Sequence, residues 1–330
     1  MKRQLLLVFL LFVTAFLSLT FGQTSVSLAA IWDGLTGGDG VGALTVQLLR
    51  GPRVATALLV GAAFGLSGAI FQSLLRNPLA SPDVMGFSAG SGLAILASMT
   101  VNLAIPMPAI ASAGGLLTAI FILILARPPG GRSSLEGAPA VTIVLVGIGI
   151  GFTAVAISSF LMTRLSGPQA TEAHRWLAGS LAARDWSHVL QLVIIGGGLV
   201  FLLLLQIRSL RLLELGAELA TGLGVNVRRA RLGLATTALL IAAAAVAIAG
   251  PIAFVALMAP PLGARIAQTV DAGGRLLAAA LTGAIIVALA DLAARASLPG
   301  LQLPIGVMTG ILGAPYLLWL LSREIERGEL

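Results

Sequence analysis

Apolar runs of roughly twenty residues recur from one end of this chain to the other, and no other feature limits its fold so severely. A helix of that length crosses the ~30 Å hydrocarbon core of a bilayer. Barrel strands would instead be about ten residues long with strict alternation, and no such alternation is present. Of 330 residues, 58% are hydrophobic and 10% charged, whereas soluble domains carry roughly 25% charged residues. The expected fold is an all-α polytopic membrane protein, a single transmembrane domain over 1–330 with about ten helices. The spans are placed at 5–21, 54–75, 84–104, 109–126, 140–162, 189–206, 232–250, 251–268, 276–294 and 305–321. A signal peptide can look like the first run, but its apolar core is long and no A-x-A site follows directly, so it is read as a retained helix. The eighth span is the least regular, because Pro260, Pro261 and Arg265 interrupt it.

Basic residues mark the cytoplasmic side of membrane proteins. With the N-terminus inside, fourteen basic residues fall on cytoplasmic segments: Lys2, Arg3, Arg76, Arg127, Arg132, Arg208, Arg211, Arg228, Arg229, Arg231, Arg265, Arg275, Arg323 and Arg327. Six fall outside: Arg50, Arg53, Arg164, Arg175, Arg184 and Arg295. This split puts both termini in the cytoplasm of a cell whose plasma (inner) membrane holds the chain. The net charge of +7 therefore reflects topology and not nucleic-acid binding. There is no cysteine, and the two histidines, His174 and His188, lack a ligand set around them. Neither a metal site nor any other cofactor is expected.

The longest polar interruption on the cytoplasmic side is 207–231, IRSLRLLELGAELATGLGVNVRRAR. A simple connection between helices needs only a few residues. This one is long enough for two short amphipathic helices, broken at Gly216 and at Gly222-Leu223-Gly224. Leu212, Leu213, Leu215, Leu219 and Leu223 can form an apolar face ringed by Glu214, Glu218, Arg228 and Arg229. Such a face suits a groove on a cytoplasmic partner; on residues alone, a helix lying on anionic membrane lipid fits as well.

Ser67-Gly68-Ala69-Ile70 has an echo in Ala249-Gly250-Pro251-Ile252, and a proline-containing break follows each, at Pro78 and at Pro260. The copies begin on helices of opposite direction, which suits an inverted repeat of helices 2–5 and 7–10. Gly61, Gly65 and Gly68, and likewise Gly147 and Gly151, recur at helix-packing spacing. Asn77, Pro78 and Pro82 break the chain between spans two and three, with Asn77 able to cap free backbone groups. They are read as a structural break or hinge. Trp176 and Trp186 are read as interfacial anchors.

Ionisable residues inside the membrane are scarce. Asp291 is the clearest, and Arg295 one turn later can satisfy it. Without a buried chain of Asp, Glu or His, an ion-coupled secondary transporter has no relay. No G-x-x-x-x-G-K-[ST] loop is present, so the chain is not expected to bind ATP that way. A membrane-embedded enzyme would need a nucleophile–base pair or metal cluster, and none is evident. If the chain transports, a separate subunit supplies the energy.

Four segments together carry a resemblance. They are Arg50-Gly51-Pro52-Arg53 through Gly61-Ala62-Ala63 to RNPLASPD at 76–83; Arg175-Trp176-Leu177-Ala178-Gly179-Ser180-Leu181 with Trp186; 207–231 running into GPIAFVALMAP at 250–260; and Asp291-Leu292-Ala293-Ala294-Arg295 with LPIGVMTGILGAP at 303–315. In order and spacing, over about 45–322, they resemble the FecCD family of ABC-importer permeases, which includes the vitamin B12 and ferric-siderophore permeases. RNPLASPDVMGF at 76–87 is most similar to the ferric-enterobactin type. Pro261 and Ala264 stand where the family often has histidine and arginine, and Gly51 where leucine is usual.

The resemblance implies a B12-permease-like fold and no enzymatic activity in this chain. It implies two ATP-binding-cassette ATPase subunits, an external substrate-binding protein, and a second permease subunit, either this chain again or a paralogue. The implied cargo is a metal chelate, foremost an iron–siderophore complex, with heme or cobalamin the alternative. Arg50, Arg53 and Arg295 match arginines that accept glutamates of the binding protein, and 207–231 matches the ATPase-coupling loop. Helices five and ten would line the path.

Overall fold

The computed structural model describes residues 2–22, 25–83, 86–126, 140–297 and 302–327. Arg127 and Arg132 of the charge count lie outside them. The described residues are helical throughout, with no strand among them. α1 (Lys2–Thr20) leads through two short helices, α2 (Leu28–Thr36) and α3 (Val41–Leu44), and a π-helical turn, Thr45–Arg50, into α4 (Gly51–Leu75). Then follow α5 (Phe87–Thr100), α6 (Met107–Leu125), α7 (Ala140–Met162), a surface helix α8 (Gly167–Leu177) and the 29-residue α9 (Trp186–Glu214). A six-residue α10 (Ala217–Gly222) precedes α11 (Val227–Ala249), α12 (Val255–Ala267), α13 (Ala272–Ala296) and α14 (Ile305–Arg327).

Eight of these helices are long and apolar enough to cross a bilayer; α5 and α12, at 14 and 13 residues, are shorter. At 1.5 Å per residue each of the two reaches only about 20 Å, less than the ~30 Å hydrocarbon core. In each case the preceding helix ends on a positive-φ residue and the next begins after another: Arg76 and Gly86, then Gly250 and Phe254. The sequence echo does not mark the same place in the two, for Ser67–Ile70 lies inside α4 and Ala249–Ile252 spans the end of α11.

α4 is the central element, packed on α9, α11, α12 and α13. Its small residues make this possible. A side chain on Gly61 would strike the backbone of Gly283 in α13, and one on Gly68 the carbonyl of Ala256 in α12. Without a strong hydrophobic drive between helices in lipid, such close approach supplies the packing. The outer helices α7, α9 and α14 instead present large apolar side chains outward, among them Phe152, Phe201 and Leu318.

α12 runs unbroken through Pro260 and Pro261. The two prolines leave the carbonyls of Ala256 and Leu257 without their helical donors. The Gln72 side chain donates to Leu257 O at 3.1 Å, and Gly68 lies directly against Ala256 O. A motif in one helix therefore repairs the irregularity of another.

Two opposite faces result. Gln4 of α1 lies beside Gly274, Arg211 pairs with Asp271, and Glu214 with Arg275. The other ends of α1 and α13 meet where Arg295 reaches Ser18 O at 3.2 Å. The N-terminus therefore shares a face with the 207–231 segment, and Arg50, Arg53 and Arg295 occupy the opposite one.

Candidate functional site

On the arginine face, the π-helical turn before Pro52 delivers Arg50 inward. Arg50 is buried and donates to the carbonyls of Leu19 and Thr20 at 2.6 and 2.8 Å. Arg53 grips Asp291 with two nitrogens: Nε and Nη2 lie 3.0 and 2.8 Å from Oδ1. Arg295 pairs with the other carboxylate oxygen at 3.0 Å. Asp291 is only 1% exposed, so two guanidinium groups share one buried carboxylate. The pairing of Asp291 with Arg295 is the one its i, i+4 spacing offers; the second partner, 238 residues away in sequence, had no signal in the chain. Of the three arginines expected to dock a partner, Arg50 and Arg295 are committed to the chain's own groups, and Arg53 keeps one nitrogen, Nη1, outside its grip on Asp291.

Beside Arg53 lies a cavity of about 410 Å³, lined also by Arg175, Ser180, Leu181, Gln302 and Leu303. Trp186 stands nearby, its indole donating to Gln47 O at 2.7 Å and tying α9 to the π-helical turn. Asp185 caps α9, accepting from the backbone amide of Ser187 at 2.9 Å and pairing with His188 Nδ1 at 2.7 Å. The Ser187 hydroxyl and then His188 hold the Asp185 carboxyl well below the usual range.

The opposite face differs in part from the sequence reading. The first third of 207–231 is not a separate short helix but the end of α9, and Arg228 and Arg229 belong to the first turn of α11. Asn226 caps that turn, accepting from Arg229 N at 3.0 Å. The break at Gly216 is present, at φ +117°, as is the turn at Gly224. Leu213 is buried in the core and Leu212 packs against it. Leu215, Leu219 and Leu223 are 58%, 61% and 56% exposed, with Glu218, Arg228 and Arg229 also exposed around them. Glu214 faces inward: it pairs with Arg275 and accepts from the Ser73 hydroxyl at 3.0 Å. Arg76 donates to the carbonyls of Leu213 and Glu214 at 3.2 and 3.3 Å. Asn77 accepts from Leu79 N at 2.8 Å, which stabilises the turn carrying Pro78.

Between the faces, a cavity of about 750 Å³ opens among α5, α7, α8 and α14. Ser158, Met162, Leu177 and Val307 line it, together with Asp83, which accepts from Ser88 through one oxygen while the other has no partner. Asp83 was visible in the sequence only as one letter of a motif. Its place in a cavity depends on how 76–86 folds back, which local pattern does not encode.

A bundle of long apolar helices with a cavity among α5, α7, α8 and α14, a broken pair of helices at its centre and an exposed apolar elbow on one face suits a transporter permease. The sequence matches the FecCD transport family over residues 10–323, and the chain belongs to that family. It is 38% identical to the ferric enterobactin transport system permease protein FepG of Escherichia coli, covering 99% of this chain and 98% of that protein. It is 37% identical to the Fe(3+)-citrate import system permease protein YfmE of Bacillus subtilis, over 98% and 95%. It is 34% identical to the hemin transport system permease protein HmuU of Yersinia pestis, over 99% and 98%. A solved metal-chelate-type ABC transporter in an inward-facing conformation superposes with a TM-score of 0.78 at 26% identity, covering 97% of this chain and 98% of that one. The chain is a permease subunit of the ATP-binding-cassette importer class and not an enzyme; ATP hydrolysis is done by separate subunits.

Proposed function

We propose that this permease imports an iron–siderophore complex by alternating access. The exposed leucine row of Leu215, Leu219 and Leu223 supports it most directly. Three large apolar side chains held in water by a short, capped elbow are costly unless a partner covers them. Glu218, Arg228 and Arg229 give that cover a charged rim. The partner is one of two ATPase subunits, and this face, with both termini, is cytoplasmic in a plasma (inner) membrane. When the ATPases close, the elbow moves with them, and α9, rigid up to Glu214, carries the movement into the membrane. Asn77, Pro78 and Pro82 serve as the hinge at which α5 follows.

The opposite face receives an external binding protein. Three arginines around the one carboxylate of Asp291 leave that cluster positive, which favours an acidic partner there. Arg50 and Arg295 contribute charge from within, and Arg53 offers the more exposed edge. The outward apolar faces of α7 and α14 take the second permease subunit, this chain or a paralogue. Two of the three quoted relatives bear iron–chelate names, which sets siderophore cargo ahead of heme.

The deciding experiment compares iron-chelate depletion from the medium by parent and deletion cells. Loss of uptake of a ferric siderophore, restored by the gene but not by L219E, is the expected result. Uptake by the lone chain in vesicles without nucleotide hydrolysis would overturn the reading.

A further inference from the structure

We infer that the cavity between the end of α9 and the start of α11 is a headgroup site for an anionic phospholipid, and that phosphatidylglycerol is the lipid it takes. The inference goes beyond the importer reading and does not depend on the cargo. α9 and α11 pack side by side. Where α11 begins they leave a cavity of about 500 Å³, within the ~300–1,000 Å³ of small-molecule sites. Arg208 of α9 and Arg229 of α11 line it, both exposed, and no acidic residue does. Among the described residues neither guanidinium makes a hydrogen bond or ion pair. Two cations on one space without a counter-charge repel each other, and a phosphate between them removes that repulsion. Basic pockets between membrane helices hold anionic lipid headgroups in this way.

Depth identifies a lipid as the source of that phosphate. α9 turns Phe201, Leu204 and Leu205 outward, and Arg208 follows within about one turn. α11 turns Leu232 outward, about one turn after Arg229. One turn is about 5 Å, and the headgroup layer beyond the hydrocarbon core is about 5–8 Å deep on each side. Both arginines therefore stand at headgroup level, with outward leucines beneath them for the acyl chains. The choice of phosphatidylglycerol comes from Gln206. Its Nε2 donates to the Thr237 hydroxyl at 2.9 Å, while its Oε1, in the cavity wall, is buried without a partner. That oxygen needs a donor, and a glycerol headgroup carries hydroxyls beside its phosphate. Gly233 keeps room there, for a Cβ on it would lie 3.4 Å from Oε1. Arg229 also stands on the rim given to the ATPase subunit; Arg208, about two turns before Leu215, lies outside that rim and separates the two roles.

The test is native mass spectrometry of the full-length chain, co-purified with its partner subunits in mild detergent. The probes are phosphatidylglycerol, phosphatidic acid and phosphatidylcholine, with inorganic phosphate as competitor. The parent is expected to prefer phosphatidylglycerol to both other lipids, and excess inorganic phosphate not to displace it. Arg208→Gln is expected to weaken phosphatidylglycerol binding about tenfold, Arg208→Lys to weaken it less, and neither to change phosphatidylcholine binding or the retention of the ATPase subunits. Unchanged phosphatidylglycerol binding by Arg208→Gln, or equal weakening of phosphatidylcholine, overturns the inference. Displacement by inorganic phosphate overturns it too, because the site then serves a free anion. So does loss of the ATPase subunits with lipid binding intact, because the arginine then serves docking. Equal binding of phosphatidic acid by the parent overturns the assignment of the glycerol headgroup.

Discussion

The side-chain amide of Gln72 donates to the carbonyl of Leu257 at 3.1 Å, taking the place of the backbone donor that Pro261 lacks. Inside a membrane such a carbonyl finds no water to replace the bond. Gln72→Leu should therefore cost about 1–3 kcal/mol, read as a shift in unfolding of the purified protein in detergent. Pro261→Ala returns the helical donor, so the double variant should recover most of the loss. Equal destabilisation with and without Pro261 would show that the bond has another purpose.

Asp291 holds two arginines from different parts of the chain, Arg53 at 2.8 Å and Arg295 at 3.0 Å, at 1% exposure. Removing one partner of a buried ion pair leaves charge without compensation, at about 3–5 kcal/mol. Asp291→Asn should give a folded yield and thermal midpoint well below those of Arg53→Gln, which leaves Asp291 paired with Arg295. Comparable midpoints for the two variants would contradict the shared-carboxylate account.

Helix number and the broken connections were legible because both rest on local chemistry: long apolar runs, and proline or glycine where a helix must stop. Legibility ended where the outcome depends on what folds back. Leu212 and Leu213 belong to the same leucine pattern as Leu215 and Leu219, yet α9 continues rigidly to Glu214 and turns that pair into the core. Glu214 resembled a rim charge for the same reason. Arg50 stood among outward arginines, but the π-helical turn before it directs its guanidinium to Leu19 and Thr20. Nothing within a few residues of Gln72 announces a partner in a helix far along the chain, and nothing near Asp83 announces the cavity it lines with α7, α8 and α14.

The leucine row predicts a graded response. Leu219→Ala should weaken association with the ATPase subunit by about tenfold, about 1.4 kcal/mol, more than the ~1 kcal/mol that most interface truncations cost, and Leu219→Glu should abolish it. Pull-down from co-expressing cells measures this. Full complex formation by Leu219→Glu would exclude the elbow as the contact.

Asp185 caps α9 with its carboxyl held low, first by the Ser187 hydroxyl and then by His188. A carboxylate whose folded pKa is depressed contributes stability above its ordinary value of 3.8 and loses that contribution as pH falls below it. Amide exchange at Ser187 and His188, taken relative to the intrinsic rate at each pH, should accelerate progressively below about pH 4 in the parent. In Asp185→Asn it should already be faster at neutral pH, and less dependent on acid.

Glu214 joins three elements: it ends α9, pairs with Arg275 in α13 and accepts from Ser73 in α4. Gly216 then frees the elbow to leave the bundle. A movement of α10 thus has a direct route to α4 and α13 through this side chain, beside the Arg76 and Arg211 contacts at the same end of α9. The pair itself is partly exposed, so its stability effect is small, about 0.5–1 kcal/mol in a double-mutant cycle of Glu214→Gln with Arg275→Gln. Its effect on coupling should be larger. Glu214→Gln is expected to keep the ATPase subunits bound and hydrolysing while uptake per ATP falls several-fold. The charge exchange Glu214→Arg with Arg275→Glu should restore part of that yield. Uptake and hydrolysis measured together in proteoliposomes distinguish the cases: an unchanged ratio in Glu214→Gln would place the transmission elsewhere, whereas loss of both activities together would mean that Glu214 supports assembly and not coupling.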